Sequence, residues 1–156
     1  VEERGRPSMT TRVRMTADGK VASITLTSRP VMGRGLVWPQ QLTVAVGYDG
    51  EVKAVPVDMR GATVAVPGLE GRERPRFVLP NGGGLGYGLF VLDDASRAYL
   101  VDRVETLPDP LLRGSAWVTL WDNLLEGAVA PRALFDTALR ALPVEADEHN
   151  VQGILA

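Results

Sequence analysis

The sequence predicts an α+β fold, an antiparallel β-sandwich over residues 1–80 followed by a small α-helical region of antiparallel helix pairs over residues 81–156. Three observations carry this. Six or seven short strand-like runs recur up to Leu79, at roughly ten-residue spacing. After Asp93 the apolar period changes from two to about 3.6. Between the two patterns lies the only shift in composition, the glycine-rich run Asn81–Gly88, where the domain boundary is placed.

In chain order, Met9–Met15 has strand composition and Ala17-Asp18-Gly19-Lys20 supplies a turn. Val21–Thr27 then alternates cleanly, so the two runs form a hairpin. Prolines and glycines between Ser28 and Gln41 break regular structure, although Leu36-Val37-Trp38 fits an extended segment. Leu42–Tyr48, Asp49-Gly50 and Glu51–Val57 form a second hairpin around a two-residue turn. Thr63–Val66 and Arg76–Leu79 complete the strands.

A first helix capped by Asp93 or Asp94 carries Ala98, Tyr99, Leu100, Val101 and Val104, and Pro108 ends it. The second starts with Asp109 as N-cap and Pro110 at its first position, and it stops before Gly127. Trp117, Leu120, Trp121 and Leu124 fall at i, i+3, i+4 and i+7, which predicts one buried stripe. A third helix from Pro131 presents Leu134, Phe135, Ala138, Leu139 and Leu142, and Pro143 stops it. Asp147–Ala156 begins a fourth, and the apolar ending Ile154-Leu155-Ala156 suggests a truncated C-terminal domain within a longer chain.

Composition excludes several functions. A net charge of -2 and a pI near 5.4 supply no electrostatic drive toward nucleic acid. No apolar run reaches the roughly 20 residues of a membrane helix, so membrane insertion is not expected and the compartment stays open between cytoplasmic and secreted. Cysteine is absent, which removes thiolate chemistry.

The glycine run does not match a phosphate-binding motif. No Lys-Ser/Thr pair follows it, as a P-loop requires, and the dinucleotide spacing places Tyr87 or Leu89 where the third glycine belongs. A flexible joint between two halves is expected instead. His149 is the only histidine, so Glu145, Asp147, Glu148 and His149 read as a polar helix start rather than a zinc site. Ser96 and Ser115 sit in helices and not on a nucleophile elbow. Asp93 and Asp94 read as caps, and no partner is in view that would make Asp58 one of a catalytic carboxylate pair. No catalytic or metal-binding residue is assigned, and no substrate-binding residue can be named. The three tryptophans, Trp38, Trp117 and Trp121, are the remaining candidates for a carbohydrate platform, with Trp38 the most open because it stands in a loop.

Phe77-Val78-Leu79-Pro80-Asn81, Leu85-Gly86-Tyr87-Gly88-Leu89-Phe90-Val91-Leu92-Asp93, Asp109-Pro110-Leu111-Leu112-Arg113-Gly114 and Leu120-Trp121-Asp122 together resemble the junction between the third and fourth domains of M1-family zinc aminopeptidases. Leu142-Pro143-Val144-Glu145-Ala146-Asp147 is similar to a further stretch of that family. The sequence departs from it at Gly86-Tyr87-Gly88-Leu89, where many relatives read Gly-Tyr-Tyr-Arg. The His-Glu-x-x-His helix and the Gly-Ala-Met-Glu-Asn loop have no counterpart here. The resemblance implies a metallo-aminopeptidase parent that uses zinc on peptide substrates, and a piece that is itself non-catalytic and partners the parent's catalytic domain. A homodimer through the truncated helical region is also expected. The alternative is a free-standing β-sandwich module that binds peptide or carbohydrate.

Overall fold

The computed structural model describes residues 6–30 and 39–156. Seven strands and four α-helices occur among them. Strands β1 (Ser8–Met15), β2 (Val21–Arg29), β5 (Thr63–Ala65) and β7 (Leu89–Val91) form one sheet in the order β5-β2-β1-β7. The other sheet holds β3 (Gln40–Tyr48), β4 (Glu51–Met59) and β6 (Phe77–Leu79) in the order β4-β3-β6. All pairings are antiparallel except that of β1 with β7. The helices α1 (Asp94–Arg103), α2 (Pro110–Leu125), α3 (Pro131–Ala141) and α4 (Glu148–Leu155) follow, so the α+β class is the one observed.

The two sheets share a core. Met9, Ile24 and Leu26 of the first meet Leu42, Val44, Val46, Val57 and Met59 of the second. The Asp49-Gly50 turn closes β3 onto β4 as the sequence predicts, with Gly50 at φ 74°.

The second sheet is buried on its other face too. There Ala45, Phe77 and Leu79 join Leu100, Val104, Leu112, Ala116 and Leu120 of the helical half in a second core. The molecule is therefore three layers deep, sheet on sheet on helices, with β3 in the middle layer. Close packing sets one residue on β3: a Cβ at Gly47 would land in the ring of Phe77, whose centroid lies 5.4 Å from that of Tyr99.

Four expectations change. A seventh strand, β7, lies beyond the glycine run and adds to the first sheet. The run is pinned rather than slack: Gly83 N donates to Thr43 O at 3.2 Å, and a Cβ on Gly82 would come within 2.6 Å of the Ala45 Cβ. On α2 the buried face consists of Leu112, Ser115, Ala116, Thr119, Leu120 and Asn123, so the stripe is split: Leu120 is buried, Trp117 and Leu124 pack partly against the second core, and Trp121 is 52% exposed. On α3, Leu134 is buried with Thr137 and Ala141, while Phe135 and Leu139 face outward.

Gly47→Ala should cost about 1–3 kcal/mol by overpacking against Phe77. Urea unfolding checks this, and adding Phe77→Leu should recover part of the loss.

Candidate functional site

Of the polar residues that sequence reasoning weighed as chemistry, Asp93, Ser96 and Ser115 serve the junction between sheets and helices. Asp93 caps α1 by accepting from Ser96 N at 3.2 Å, and its other oxygen accepts from the Ser96 hydroxyl at 2.5 Å. That hydroxyl in turn accepts from Val78 N of β6 at 2.8 Å, so Ser96 ties α1 to the second sheet. Ser115 donates its proton to the Asn81 carbonyl. Asp94 pairs with Arg97, and Asp58 with Arg60.

Asn123 is a functional-looking residue that apolar periodicity passes over. It is 1% exposed, and its amide bridges the backbone of β7 by donating to Phe90 O at 2.9 Å and accepting from Leu92 N at 3.1 Å. The Asn81 side chain does similar work in the glycine run, accepting from Gly86 N at 2.8 Å. Gln40 accepts from Tyr87 N at 2.8 Å and donates to Tyr87 O at 3.0 Å. A tightly held loop thus presents Leu85 and Tyr87 to solvent, with Leu85 94% exposed.

The cluster near His149 is taken apart. Glu145, its side chain 2% exposed, is gripped by Arg113 through bonds of 2.8 and 2.9 Å, and Arg113 also donates to Leu107 O at 2.8 Å. Asp147 caps α4 at Asn150 N, and His149 is exposed. Ser115, Asp109, Asp147 and His149 do line one cavity of about 560 Å³. The Ser115 proton is committed to Asn81, so these residues do not make a nucleophile and base. Among the described residues no three metal-ligating side chains converge, and those present do not fit a zinc site. Trp38 falls outside the described residues.

Two larger grooves lie elsewhere among the described residues. One of about 970 Å³ is lined by residues of both charge signs, among them Lys20, Asp49, Arg72 and Asp102, and its Arg76 is bound to Asp49 at 2.8 Å. Burial raises the pKa of Tyr48, whose hydroxyl has no partner among the described residues. The other, about 800 Å³, runs between α2, α3 and α4 and is apolar, with Trp117, Trp121, Leu124, Leu134, Phe135 and Ile154 in its lining. On α2 Leu111, Val118, Trp121 and Leu125 stand exposed, while Ser115, Thr119, Asp122 and Asn123 all bond within the molecule. This much exposed apolar surface on one helix exceeds what a single core face uses, and such a patch is a candidate contact surface. This face is the strongest candidate site, and its chemistry is that of a protein interface.

Compared with known proteins, the chain is similar to an aminopeptidase N of Streptomyces lividans, with 27% identity over 150 residues. The match takes in 88% of this chain and 18% of the relative, so the chain spans less than a fifth of the protein it resembles. No family model matches it.

The Arg113 hydrogen bonds hold the Glu145 carboxyl below the usual carboxylate range, against the effect of burial. A depressed carboxylate contributes stability that is full above its unfolded pKa and is lost as pH falls through the folded one. The thermal midpoint should therefore drop as pH falls below the ordinary glutamate range, and Glu145→Gln should flatten that part of the profile. Glu145→Ala, which leaves the half-buried Arg113 guanidinium only its bond to Leu107 O, should cost about 1–3 kcal/mol at neutral pH.

Proposed function

We propose that this chain is a non-catalytic structural part of a larger zinc-dependent aminopeptidase of the M1 type. Its three layers serve as a scaffold beside a catalytic domain elsewhere in the polypeptide. The observation that carries this is the similarity to an aminopeptidase N across 88% of the chain but only 18% of that relative. The residues of the family resemblance support it, because they occupy structural positions here. Asn81 and Gly86 build the loop clamp, and Arg113 and Glu145 join α2 to the turn before α4.

In this reading residues 1–80, completed by β7 from beyond the glycine run, form a β-sandwich domain, and the rest of residues 81–156 opens a helical domain. Zinc and the peptide-cleaving chemistry belong to the parent's catalytic domain, which would hold the His-Glu-x-x-His helix that this sequence lacks. The present residues support that domain and help wall the substrate chamber. The rest of the longer chain is the partner that the exposed apolar face would meet. A homodimer through the helices after Pro131 would use the same face. It would also oppose two copies of a half that holds five arginines against eleven acidic residues, so the rest of the chain is the better partner.

Sequencing the gene upstream of Val1 should reveal His-Glu-x-x-His. The purified chain should hold no stoichiometric zinc and release no amino acid from aminoacyl fluorogenic substrates. An upstream region without that motif, or peptidase activity in the chain itself, would overturn the proposal.

A further inference from the structure

Asparagine followed by glycine exposes its side-chain amide to attack by the next backbone nitrogen, because glycine has no side chain to shield that nitrogen. The chain contains one such pair, Asn81-Gly82, whereas Asn123 and Asn150 precede Leu124 and Val151. Packing and hydrogen bonding fix both members of the pair. A Cβ at position 82 would come within 2.6 Å of the Ala45 Cβ and 3.0 Å of Ala45 N, so β3 admits only glycine there. Asn81 Oδ1 accepts from Gly86 N at 2.8 Å while its Nδ2 donates to Gly86 O at 3.4 Å, a two-way clamp that requires an amide side chain.

The same contacts hold the reaction off. Closing a five-membered ring requires Gly82 N and Asn81 Cβ to come nearly eclipsed about the Asn81 Cα–C bond. Gly82 N instead donates to Leu79 O at 3.2 Å, closing a turn with Pro80 and Asn81 at its two central positions. No described residue other than glycine has a positive φ, so the turn is type I, and its third residue keeps ψ near about 0°, well away from the eclipsed arrangement. The Asn81 carbonyl is fixed as well, accepting from Gly84 N at 3.0 Å and from the Ser115 hydroxyl. Rotation at Asn81 must therefore break the turn and its tie to α2 together.

We infer that Asn81-Gly82 is a self-modification site, kept silent by the fold and released when the glycine run opens. In the opened chain Gly82 N bonds to Asn81 Cγ, the Cγ–Nδ2 bond breaks, and the Gly82 N–H proton departs with Nδ2 as ammonia. Water then opens the resulting succinimide at either carbonyl, leaving aspartate or isoaspartate. Both products replace an amide donor with a carboxylate facing Gly86 O, and isoaspartate also adds a methylene to the main chain between β6 and β7. Each opening of the joint between sheets and helices is a chance to acquire a permanent negative charge, and a chain so marked closes less well. The inference rests on this loop alone and not on the parent being a peptidase.

Trypsin, cutting after Arg76 and Arg97, releases Phe77–Arg97, in which Asn81 is the only amide side chain, so mass spectrometry reads its conversion directly. The folded 156-residue chain and a synthetic peptide of residues 77–97 are incubated side by side at mildly alkaline pH. The peptide should deamidate at least roughly tenfold faster, because the folded chain reacts only during openings. Ser115→Ala removes one bond to the Asn81 carbonyl and leaves the dipeptide intact; it should move the folded chain's rate toward the peptide's while circular dichroism shows the chain folded. Gln40→Ala, which unties Tyr87 at the surface end of the same loop, should do so to a smaller extent. Chains deamidated in guanidinium and refolded should have a lower Tm than untreated chains carried rapidly through the same cycle. Equal rates in peptide and folded chain, a folded-chain rate indifferent to both substitutions, or an unchanged Tm after deamidation would each overturn the inference.

Discussion

The structure depends on how the helical layer satisfies the backbone of two very short edge strands. β6 and β7 are three residues long, and the helices cover the side where further strands would otherwise pair. A buried backbone N–H or C=O without a partner costs about 1–3 kcal/mol, so something must replace the missing strand. Asn123 does so for β7, pairing with both Phe90 O and Leu92 N, and Ser96 does so for β6 at Val78 N. Ser115 takes the Asn81 carbonyl at the root of the glycine run. Sheets and helices are thus joined by directional bonds as well as by the apolar contacts of the second core.

That requirement determines which way α2 faces. Of its inward polar side chains Asn123 bonds the backbone of β7 and Ser115 the Asn81 carbonyl, Thr119 bonds the helix's own Ser115 carbonyl, and Arg113 and Asp122 are taken by Glu145 and Arg6. What remains for the outer arc is Leu111, Val118, Trp121 and Leu125. The exposed apolar face is therefore the complement of the buried polar one, and both follow from a single helix rotation. Helix α3 likewise carries apolar residues on two sides, Leu134 in the core and Phe135 and Leu139 exposed.

Much of the fold was legible in the sequence because its signals are local. The Asp49-Gly50 turn, the alternation in Val21–Thr27 and the Asp109-Pro110 start of α2 each have a short-range cause. β7 was not legible, since three residues give alternation no room and its parallel pairing with β1 is set by tertiary contacts. The rotation of α2 was missed for a different reason. Apolar spacing counts Ser115, Thr119 and Asn123 as surface, whereas here all three are buried with their hydrogen bonds made to backbone carbonyls. The exposed apolar face left one trace in the sequence, the excess of large apolar residues on α2 and α3 over what a single core face can hold.

The central claim is that the outer face of α2 and α3 is an interface to more polypeptide. Hydroxyl-radical footprinting of Trp121 and Phe135 tests it most directly, first in this chain and then in the longer polypeptide proposed above. The account predicts that both side chains react readily in the chain alone and lose most of that reactivity in the longer protein. Equal reactivity in the two would contradict it.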